Sequence, residues 1–233
     1  LPFLFLPILL SIDNFGSIRR QMMLCAFYFV YLFTFLGFGY AINDHSDRVI
    51  DEKVGKTNIM GELPNWKCLI ILLLLVLGCI PFAVITYNTS SVLLFAVVYF
   101  WGAAYSVRPF RFKERGVAGL LVSSLAQRTI PLLPLIGISR SYWGIVCVCG
   151  MIGFFVGLRY ILIHQYEDIK NDQISGTNTY VKNNNRSIAK MIYISFAMEC
   201  ILTVVVEFIF IHSTVGFVLC ALCIVQSYVT YHA

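Results

Sequence analysis

Charged side chains are scarce in this chain. Asp, Glu, Lys and Arg together make up 12% of its 233 residues, whereas a soluble domain carries about a quarter charged residues. Apolar side chains make up 59%, and a single globular core of this size could not remove so much apolar surface from water. The composition therefore excludes an ordinary cytosolic enzyme, a secreted disulfide-stapled domain and a disordered module.

Cysteine is more frequent, but its surroundings argue against a metal site. Nearly all of the eight cysteines lie inside apolar runs, and no histidine or carboxylate accompanies the closely spaced pairs at 147/149 and 220/223 in polar sequence. We interpret them as buried thiols that behave as small apolar side chains. The net charge of +5 comes from basic residues gathered in a few loops, which is typical of a membrane protein with one cytoplasmic face and indicates no nucleic-acid partner.

Apolar runs of roughly 20 residues, the length that crosses a bilayer as a helix, recur along the chain. They predict an all-α fold, a multi-pass transmembrane bundle of about eight helices. The first run is too short to cross alone and the chain begins at Leu1 rather than Met. We therefore expect one domain over residues 1–233 that is truncated at one or both ends. The predicted spans are 1–12, 22–42, 68–87, 91–107, 117–138, 142–163, 188–211 and 214–231.

Three polar stretches, 43–67, 108–116 and 164–187, interrupt the apolar runs. Two predicted helices separate each stretch from the next, and an even number of crossings places all three on the same side of the membrane. Basic residues concentrate in or beside them, which makes that side cytoplasmic by the positive-inside rule. Twelve of the 17 basic residues lie there: Arg48, Lys53, Lys56, Lys67, Arg108, Arg111, Lys113, Arg115, Lys170, Lys182, Arg186 and Lys190.

Two acidic clusters open the first and third polar stretches, each directly after a membrane helix. Seven of the 12 acidic residues of the chain fall in these two short segments. If each membrane helix continues outward, side chains at spacings 0, 3 and 7 share one helical face. These are Asp44, Asp47 and Asp51 in the first cluster and Gln165, Asp168 and Asp172 in the second.

Acidic side chains stacked in this way need a compensating charge. An unpaired charge beside the bilayer is costly, and a ligand set made of oxygens favours Mg²⁺ over zinc. Mg²⁺ completes its coordination with water and with phosphate oxygens of a substrate. The sequence therefore predicts a diphosphate site held by two carboxylate clusters and Mg²⁺. The alternative, solvated helix ends that happen to be acidic, does not account for the matching spacing on one face.

The three polar elements together resemble those of the UbiA superfamily of intramembrane prenyltransferases. Residues 43–51 (NDHSDRVID) resemble the first aspartate-rich motif of that family, NDxxDxxxD, and residues 168–172 (DIKND) resemble the second, DxxxD. Between them, residues 105–113 (YSVRPFRFK) are similar to its YSxPPxRxK segment, with Arg108 in place of the first proline. Residues 53–58 (KVGKTN) replace its usual Lys-Pro-x-Arg-Pro stretch. Members of the family commonly have nine helices.

The resemblance implies transfer of a prenyl group from a polyprenyl diphosphate donor to a small-molecule or lipid acceptor, often an aromatic ring, in the membrane lipid, with Mg²⁺ as cofactor. The implied metal ligands are Asn43, Asp44, Asp47, Asp51, Asp168 and Asp172. The implied substrate-binding residues are Asn43, Arg48, Lys53, Lys56, Arg111, Lys113 and Gln165. The implied catalytic residues are Asp47, Asp51, Asp168, Asp172 and Tyr105, and the ring of Tyr166 is a further candidate to face an allylic cation.

Three other activities stay open at this point. Transfer of a phosphoribosyl group to a polyprenyl phosphate would use the same diphosphate site, because its donor is also a diphosphate. A terpene cyclase of the same superfamily would need no acceptor. A membrane cation transporter, from a different class, usually places its acidic groups near the bilayer midplane on broken helices, whereas the acidic groups of this chain lie at helix ends.

A few residues inside the predicted spans are unusual for a membrane helix. Charged side chains there are costly, so we expect Arg128 and Arg159 to face the interior of the bundle. Pro131 and Pro134 are expected to kink the helix that carries them. Glu199, on the helix after the second motif, receives no specific role.

Overall fold

The computed structural model shows a helical bundle. It describes residues 18–86, 89–136, 143–184 and 187–206, with a few isolated positions after them. The predicted span 1–12 lies outside the described residues, and so does nearly all of 214–231. All regular structure in the described part of the chain is helical, which confirms the all-α fold class.

The helices carry the following bounds: α1 (Ile18–Lys53), α2 (Ile59–Glu62), α3 (Asn65–Leu77), α4 (Ile80–Thr86), α5 (Thr89–Ser106), α6 (Val117–Ser124), α7 (Leu133–Ile136), α8 (Trp143–Glu167), α9 (Ile169–Ser175), α10 (Tyr180–Asn183) and α11 (Ile188–Val206). Five stretches among the described residues are long and apolar enough to cross a membrane: α1, α3 with α4, α6 through α7, α8, and α11. The part of α5 from Val92 to Ser106 is a shorter apolar helix.

Helix α1 carries the first aspartate cluster beyond the apolar span. It has 36 residues and ends eleven residues after the predicted span 22–42. One face of α1 is buried at helical spacing and is strongly aromatic, with Tyr28, Tyr31 and Phe35 at 0–3% exposure. The phenol groups of Tyr28 and Tyr31 both donate hydrogen bonds to the carbonyl oxygen of Pro131, at 3.3 and 3.2 Å. These bonds fix α1 against the helical segment that runs from α6 to α7.

Near the two prolines, where a kink is expected, the segment stays helical but changes its type of helix. A π-helical turn (Leu125–Thr129) and a 3₁₀ turn (Ile130–Leu132) separate α6 from α7. Pro131 lies in the 3₁₀ turn, and because proline has no backbone N–H it cannot make the helical bond to the preceding turn. The buried Tyr28 and Tyr31 hydroxyls donate to the carbonyl oxygen of this proline.

Helix α8 packs closely against α6. A Cβ added to Gly157 would lie 2.7 Å from the carbonyl oxygen of Ser124, so only glycine permits this approach between α8 and α6. Helix α9 follows α8 directly after a turn at Asp168, and the bonds from Asp168 N to His164 O (3.0 Å) and from Asp172 N to Asp168 O (2.9 Å) are kept on either side of it. The second aspartate cluster therefore lies on two consecutive helices with a turn at Asp168, and not on one continuous helix as predicted.

Candidate active site

Asp47 is the centre of a buried ion-pair cluster that joins two polar stretches. Its Oδ1 lies 2.9 Å from Nη2 of Arg111, and its Oδ2 pairs with the ammonium group of Lys113. The three side chains are only 9–15% exposed. Two cations and one carboxylate thus share a site at the polar end of α1, and they hold residues 108–116 against it.

The backbone of the middle polar stretch is shaped to present these two cations. Arg111 has a left-handed conformation, with φ 38° and ψ 56°, which costs about 1–3 kcal/mol in a residue other than glycine. Its guanidinium group offsets that cost by donating to Glu114 Oε1 at 2.6 Å and to the carbonyl oxygens of Ser46 and Ser106 at 3.4 and 3.3 Å. The loop therefore fixes the position of the guanidinium group.

Gly119 allows this loop to approach α6. A Cβ at this position would lie 2.4 Å from the carbonyl oxygen of Phe112 and 3.1 Å from the Cα of Lys113. Because both contacts are with backbone atoms, any larger residue would push the 3₁₀ turn (Phe112–Glu114) away from α6. The position of Lys113 beside Asp47 thus depends on a glycine that motif reasoning passed over.

Asn43 extends the same network. Its Oδ1 accepts hydrogen bonds from Ser106 Oγ and from Lys113 Nζ, both at 2.9 Å. Burial lowers the pKa of Lys113 from its ordinary value, although the neighbouring Asp47 carboxylate opposes this effect. Asn43, Asp47 and Lys113 therefore form one connected cluster, and Ser106 is a member that sequence analysis did not identify.

Asn58 is a second residue that the sequence analysis missed. Its side-chain amide donates to Asp51 Oδ2 at 2.6 Å and to the carbonyl oxygen of Asp44 at 2.7 Å. Its Oδ1 accepts from Gly61 N at 2.9 Å and caps α2. An asparagine before a short helix is a common capping signal, but nothing in the sequence indicated that the same side chain also holds Asp51.

The second cluster is held by bonds within its own segment. Asp172 Oδ2 accepts from Thr179 Oγ1 at 2.7 Å, and burial raises the pKa of Asp172 above its ordinary value. Asp168 lies 3.5 Å from His164 Nε2 and accepts from Asn171 Nδ2 at 3.1 Å. The buried side chain of Gln165 accepts from Val181 N at 3.3 Å, which attaches α10 to α8.

Tyr105, near the end of α5, lies within electrostatic range of both clusters. Its hydroxyl group is influenced by Asp47 and by Asp172, and the side chain of Ser123 is close to it. The end of α5 therefore brings the first and second aspartate clusters to one end of the bundle. This placement agrees with the predicted common side of the three polar stretches, and the assignment of that side to the cytoplasm stays a prediction.

The other predicted cations lie at the edge of this site. Arg48 is exposed and donates to Asn65 Oδ1 at 2.7 Å. Lys53 and Lys56 are exposed, although Lys56 interacts electrostatically with Asp44. Tyr166 is 56% exposed. The roles of these residues in substrate binding stay predictions, while Arg111 and Lys113 are the two cations that the structure brings to Asp47.

The predicted ligands have the chemistry that Mg²⁺ prefers, although the described acidic side chains do not cluster in threes. Among the described residues, no three histidine, cysteine or acidic side chains are close enough to hold a metal ion together. Protein donors engage the carboxylates of Asp47, Asp51 and Asp172. Mg²⁺ in proteins is usually held by one or two carboxylates, with water and substrate phosphates completing its shell. These oxygen ligands therefore fit Mg²⁺ that arrives with a diphosphate.

Comparisons with known proteins identify the family and the fold of the chain. The model of the UbiA prenyltransferase family matches residues 2–233. Among solved structures, the chain is similar to a UbiA homolog from Archaeoglobus fulgidus bound to DMAPP and Mg²⁺, with 16% identity, a TM-score of 0.67, and coverage of 98% of this chain and 82% of that one. It is also similar to a UbiA homolog from the same organism bound to GPP and Mg²⁺, with 17% identity, a TM-score of 0.66, and coverage of 98% and 81%. At such identities the likeness establishes a shared fold. No curated protein matches the chain in sequence.

Proposed function

Since the chain belongs to the UbiA prenyltransferase family, we propose that it transfers a prenyl group from a prenyl diphosphate to an acceptor within the membrane, with Mg²⁺ as cofactor. The observation that carries this proposal is the buried cluster in which Arg111 and Lys113, two positive charges from the middle polar stretch, contact Asp47 of the first motif. Tyr105 lies within electrostatic range of Asp47 and of Asp172 in the second motif.

The two clusters have the chemistry to bind a diphosphate with its metal. The proposed ligands are the oxygen-bearing side chains of the two motifs, and Mg²⁺ when bound would neutralise charge on the phosphate oxygens. Arg111 and Lys113 exchange Asp47 for diphosphate oxygens and stabilise the negative charge that develops as the leaving group departs. The proposed metal ligands are Asn43, Asp44, Asp47, Asp51, Asp168 and Asp172.

The rest of the donor belongs in the apolar bundle. Each isoprene unit has about five carbons, so burying it contributes roughly 3–4 kcal/mol. When the carbon–oxygen bond of the donor breaks, the allylic cation lies at the junction of the polar end and the apolar interior. The ring of Tyr105 is the proposed group to face this cation, because aromatic faces attract cations by about 0.5–2 kcal/mol. The acceptor then attacks the cation and loses a proton.

The polar end is proposed to face the cytoplasm, because twelve basic residues concentrate in or beside the three polar stretches and basic loops stay on that side. Labelling of a single cysteine introduced at Lys56 tests this orientation. With a thiol reagent that does not cross the membrane, a cytoplasmic cysteine reacts only after the membrane is permeabilised. Reaction in intact cells would contradict the proposal.

The activity is tested with the full chain in membranes, given Mg²⁺ and radiolabelled DMAPP or GPP. We expect labelled lipid product and released diphosphate from the wild type, no product in Asp47→Asn or in EDTA, and normal product in Glu62→Gln, a matched control that removes an exposed carboxylate. Product from Asp47→Asn at the wild-type rate would contradict the assignment.

The same assay separates the other activities. Labelled phosphoribosyl diphosphate with a polyprenyl phosphate gives product only if the donor class is phosphoribosyl. Release of diphosphate together with a cyclic hydrocarbon, independent of any acceptor, indicates a terpene cyclase. Family membership favours a transferase over the cation transporter, and diphosphate release that depends on Asp47 is a property that a transporter lacks.

A further inference from the structure

An open pocket lined mainly by arginine lies in the middle polar stretch, beside the aspartate site. Its volume is about 490 Å³, and six residues form its walls: Arg108, Pro109, Phe110, Arg111, Glu114 and Arg115. Three of these residues are arginines and only one is acidic. Such a lining favours an anion that carries phosphate, because the planar guanidinium group can donate two parallel hydrogen bonds to phosphate oxygens.

Two of the three arginines have charge to offer a ligand. Arg111 is paired with Asp47 at 2.9 Å and with Glu114, the one acidic residue of the pocket, at 2.6 Å. Among the described residues, no carboxylate forms an ion pair with Arg108 or Arg115, and both side chains are exposed. The pocket therefore carries two positive charges that the described acidic side chains leave unpaired.

The loop already holds one of these two cations in place. Arg115 Nη2 donates to the carbonyl oxygen of Pro109 at 2.8 Å, and its Cζ lies 5.3 Å from the centre of the Phe112 ring. A side chain that is ordered before binding loses less conformational freedom when the ligand arrives. Arg115 is therefore prepared to bind an anion on the donor groups that these contacts leave open.

The pocket lies where the apolar surface of the bundle meets its polar end. On α5, Leu93, Val97 and Phe100 are exposed at spacings 0, 4 and 7, so they share one apolar face of the helix. The exposed ring of Phe110, at the pocket, contacts Phe100 edge-on with 5.6 Å between the ring centres. The apolar face thus continues up to the pocket. Exposed aromatic rings at the end of an apolar helix are typical of the membrane interface, where lipid headgroups lie.

We propose that this pocket binds the phosphate group of an anionic phospholipid, with Arg108 and Arg115 at the phosphate and Phe110 against the adjoining hydrocarbon. A soluble anion gains from the arginines alone, whereas a lipid gains from both features because its charged headgroup is joined to acyl chains. Basic pockets of membrane proteins bind anionic headgroups in this way. The site is distinct from the proposed function and does not require it. A lipid bound there holds the middle polar stretch at the membrane surface.

Native mass spectrometry of the full chain in a neutral detergent tests the site without turnover. The probes are phosphatidylglycerol and phosphatidylcholine with the same acyl chains; the first has a net negative charge, and in the second a choline cation cancels the phosphate charge. Each arginine near an anionic headgroup contributes about fivefold to affinity. We therefore expect the wild type to bind its first phosphatidylglycerol about thirtyfold more tightly than phosphatidylcholine.

Two substitutions should reduce this preference in steps. Arg108→Gln removes no hydrogen bond or ion pair made within the described ranges, so it should leave the fold intact and lower the preference by about fivefold. Arg108→Gln combined with Arg115→Gln should abolish it. Arg108→Lys should keep most of it, because the charge remains. Equal binding of the two lipids by the wild type, or a preference that survives the double variant, overturns the inference.

A matched control separates this pocket from the general charge of the protein. Arg19→Gln combined with Arg20→Gln also removes two exposed arginines, at the start of α1, and should leave the preference unchanged. If both double variants lose the same affinity, lipid binding follows net charge and the pocket is not a site.

Three further measurements separate the lipid from other phosphate ligands. Glycerol 3-phosphate, a headgroup without acyl chains, and inorganic diphosphate with Mg²⁺ should both fail to displace phosphatidylglycerol when added in excess. Displacement by the first would make the pocket a site for a free phosphate, and displacement by the second would make it part of the donor site. Diphosphate release in phosphatidylcholine nanodiscs should persist in the double variant of Arg108 and Arg115. Its loss there would also place these arginines in the donor site. Each of these three outcomes overturns the inference.

Discussion

The two aspartate clusters differ in how the rest of the protein holds them. In the first, Asp47 is bound by Arg111 and Lys113, which lie 64 and 66 positions away in the chain, while Asp51 is bound by Asn58, seven positions away. In the second, Asp168 and Asp172 are bound by side chains 3 to 7 residues away in the same segment. The first cluster is therefore part of the tertiary structure, while the second is a local arrangement at the end of one helix.

This difference suggests how the site accepts its ligand. The carboxylate of Asp47 is already neutralised by two cations, so a metal ion gains little by binding there until a diphosphate draws those cations away. The second cluster has weaker local partners, and the side chain of Asp168 is 27% exposed. Mg²⁺ and diphosphate are therefore expected to bind together, and the second cluster to adjust more than the first.

The largest effect is expected from neutralising the two aspartates in turn. Asp47→Asn and Asp168→Asn should each lower activity by about 10²–10³-fold or more, since both are proposed ligands of the Mg²⁺ that neutralises charge on the diphosphate. Only Asp47→Asn should also destabilise the protein, by about 3 kcal/mol, because it leaves two buried cations without their carboxylate. Activity assays and thermal unfolding in nanodiscs measure the two effects. Equal loss of stability in both variants would contradict the proposed difference between the clusters.

An intermediate effect is expected at Asn58. The substitution Asn58→Ala removes the amide that holds Asp51 and the cap of α2. Residues that orient metal ligands typically contribute about 10–100-fold to metal affinity or activity. We expect the Mg²⁺ concentration for half-maximal activity to rise, with less change in kcat at saturating Mg²⁺. Asn184→Ala, which removes an exposed asparagine, is the matched control. An unchanged Mg²⁺ requirement would show that Asn58 serves α2 alone.

The smallest effect is a shift in pH dependence at Lys113. Burial holds the pKa of Lys113 below its ordinary value of 10.5, so its ammonium group loses a proton, and donor affinity falls, as pH rises through that lowered value. Arginine stays protonated over this range. Lys113→Arg should therefore move the alkaline limb of kcat/KM to higher pH, while activity near neutral pH changes by less than about tenfold. An alkaline limb at the same pH in both proteins would assign it to another group.

Much of this site was predictable because its signals are local in sequence. Periodic acidic residues after apolar runs placed Asp44, Asp47 and Asp51 on one face of α1, and the structure shows that helix continuing to Lys53. Contacts between residues far apart in the chain were harder to predict. Ser106 contacts Asn43 across 63 positions, and Arg159 pairs with Glu199 across 40, so no spacing rule within one helix could relate them.

By itself, the sequence determined that this chain is a membrane bundle with two aspartate motifs at helix ends, because hydrophobic run length and helical period are properties of single segments. Only the tertiary structure decided which of the basic residues reach Asp47, because that depends on the left-handed turn at Arg111 and on the close packing that Gly119 permits. Charge pairing acts across a few ångströms in space, and the distance between two residues along the chain does not fix it.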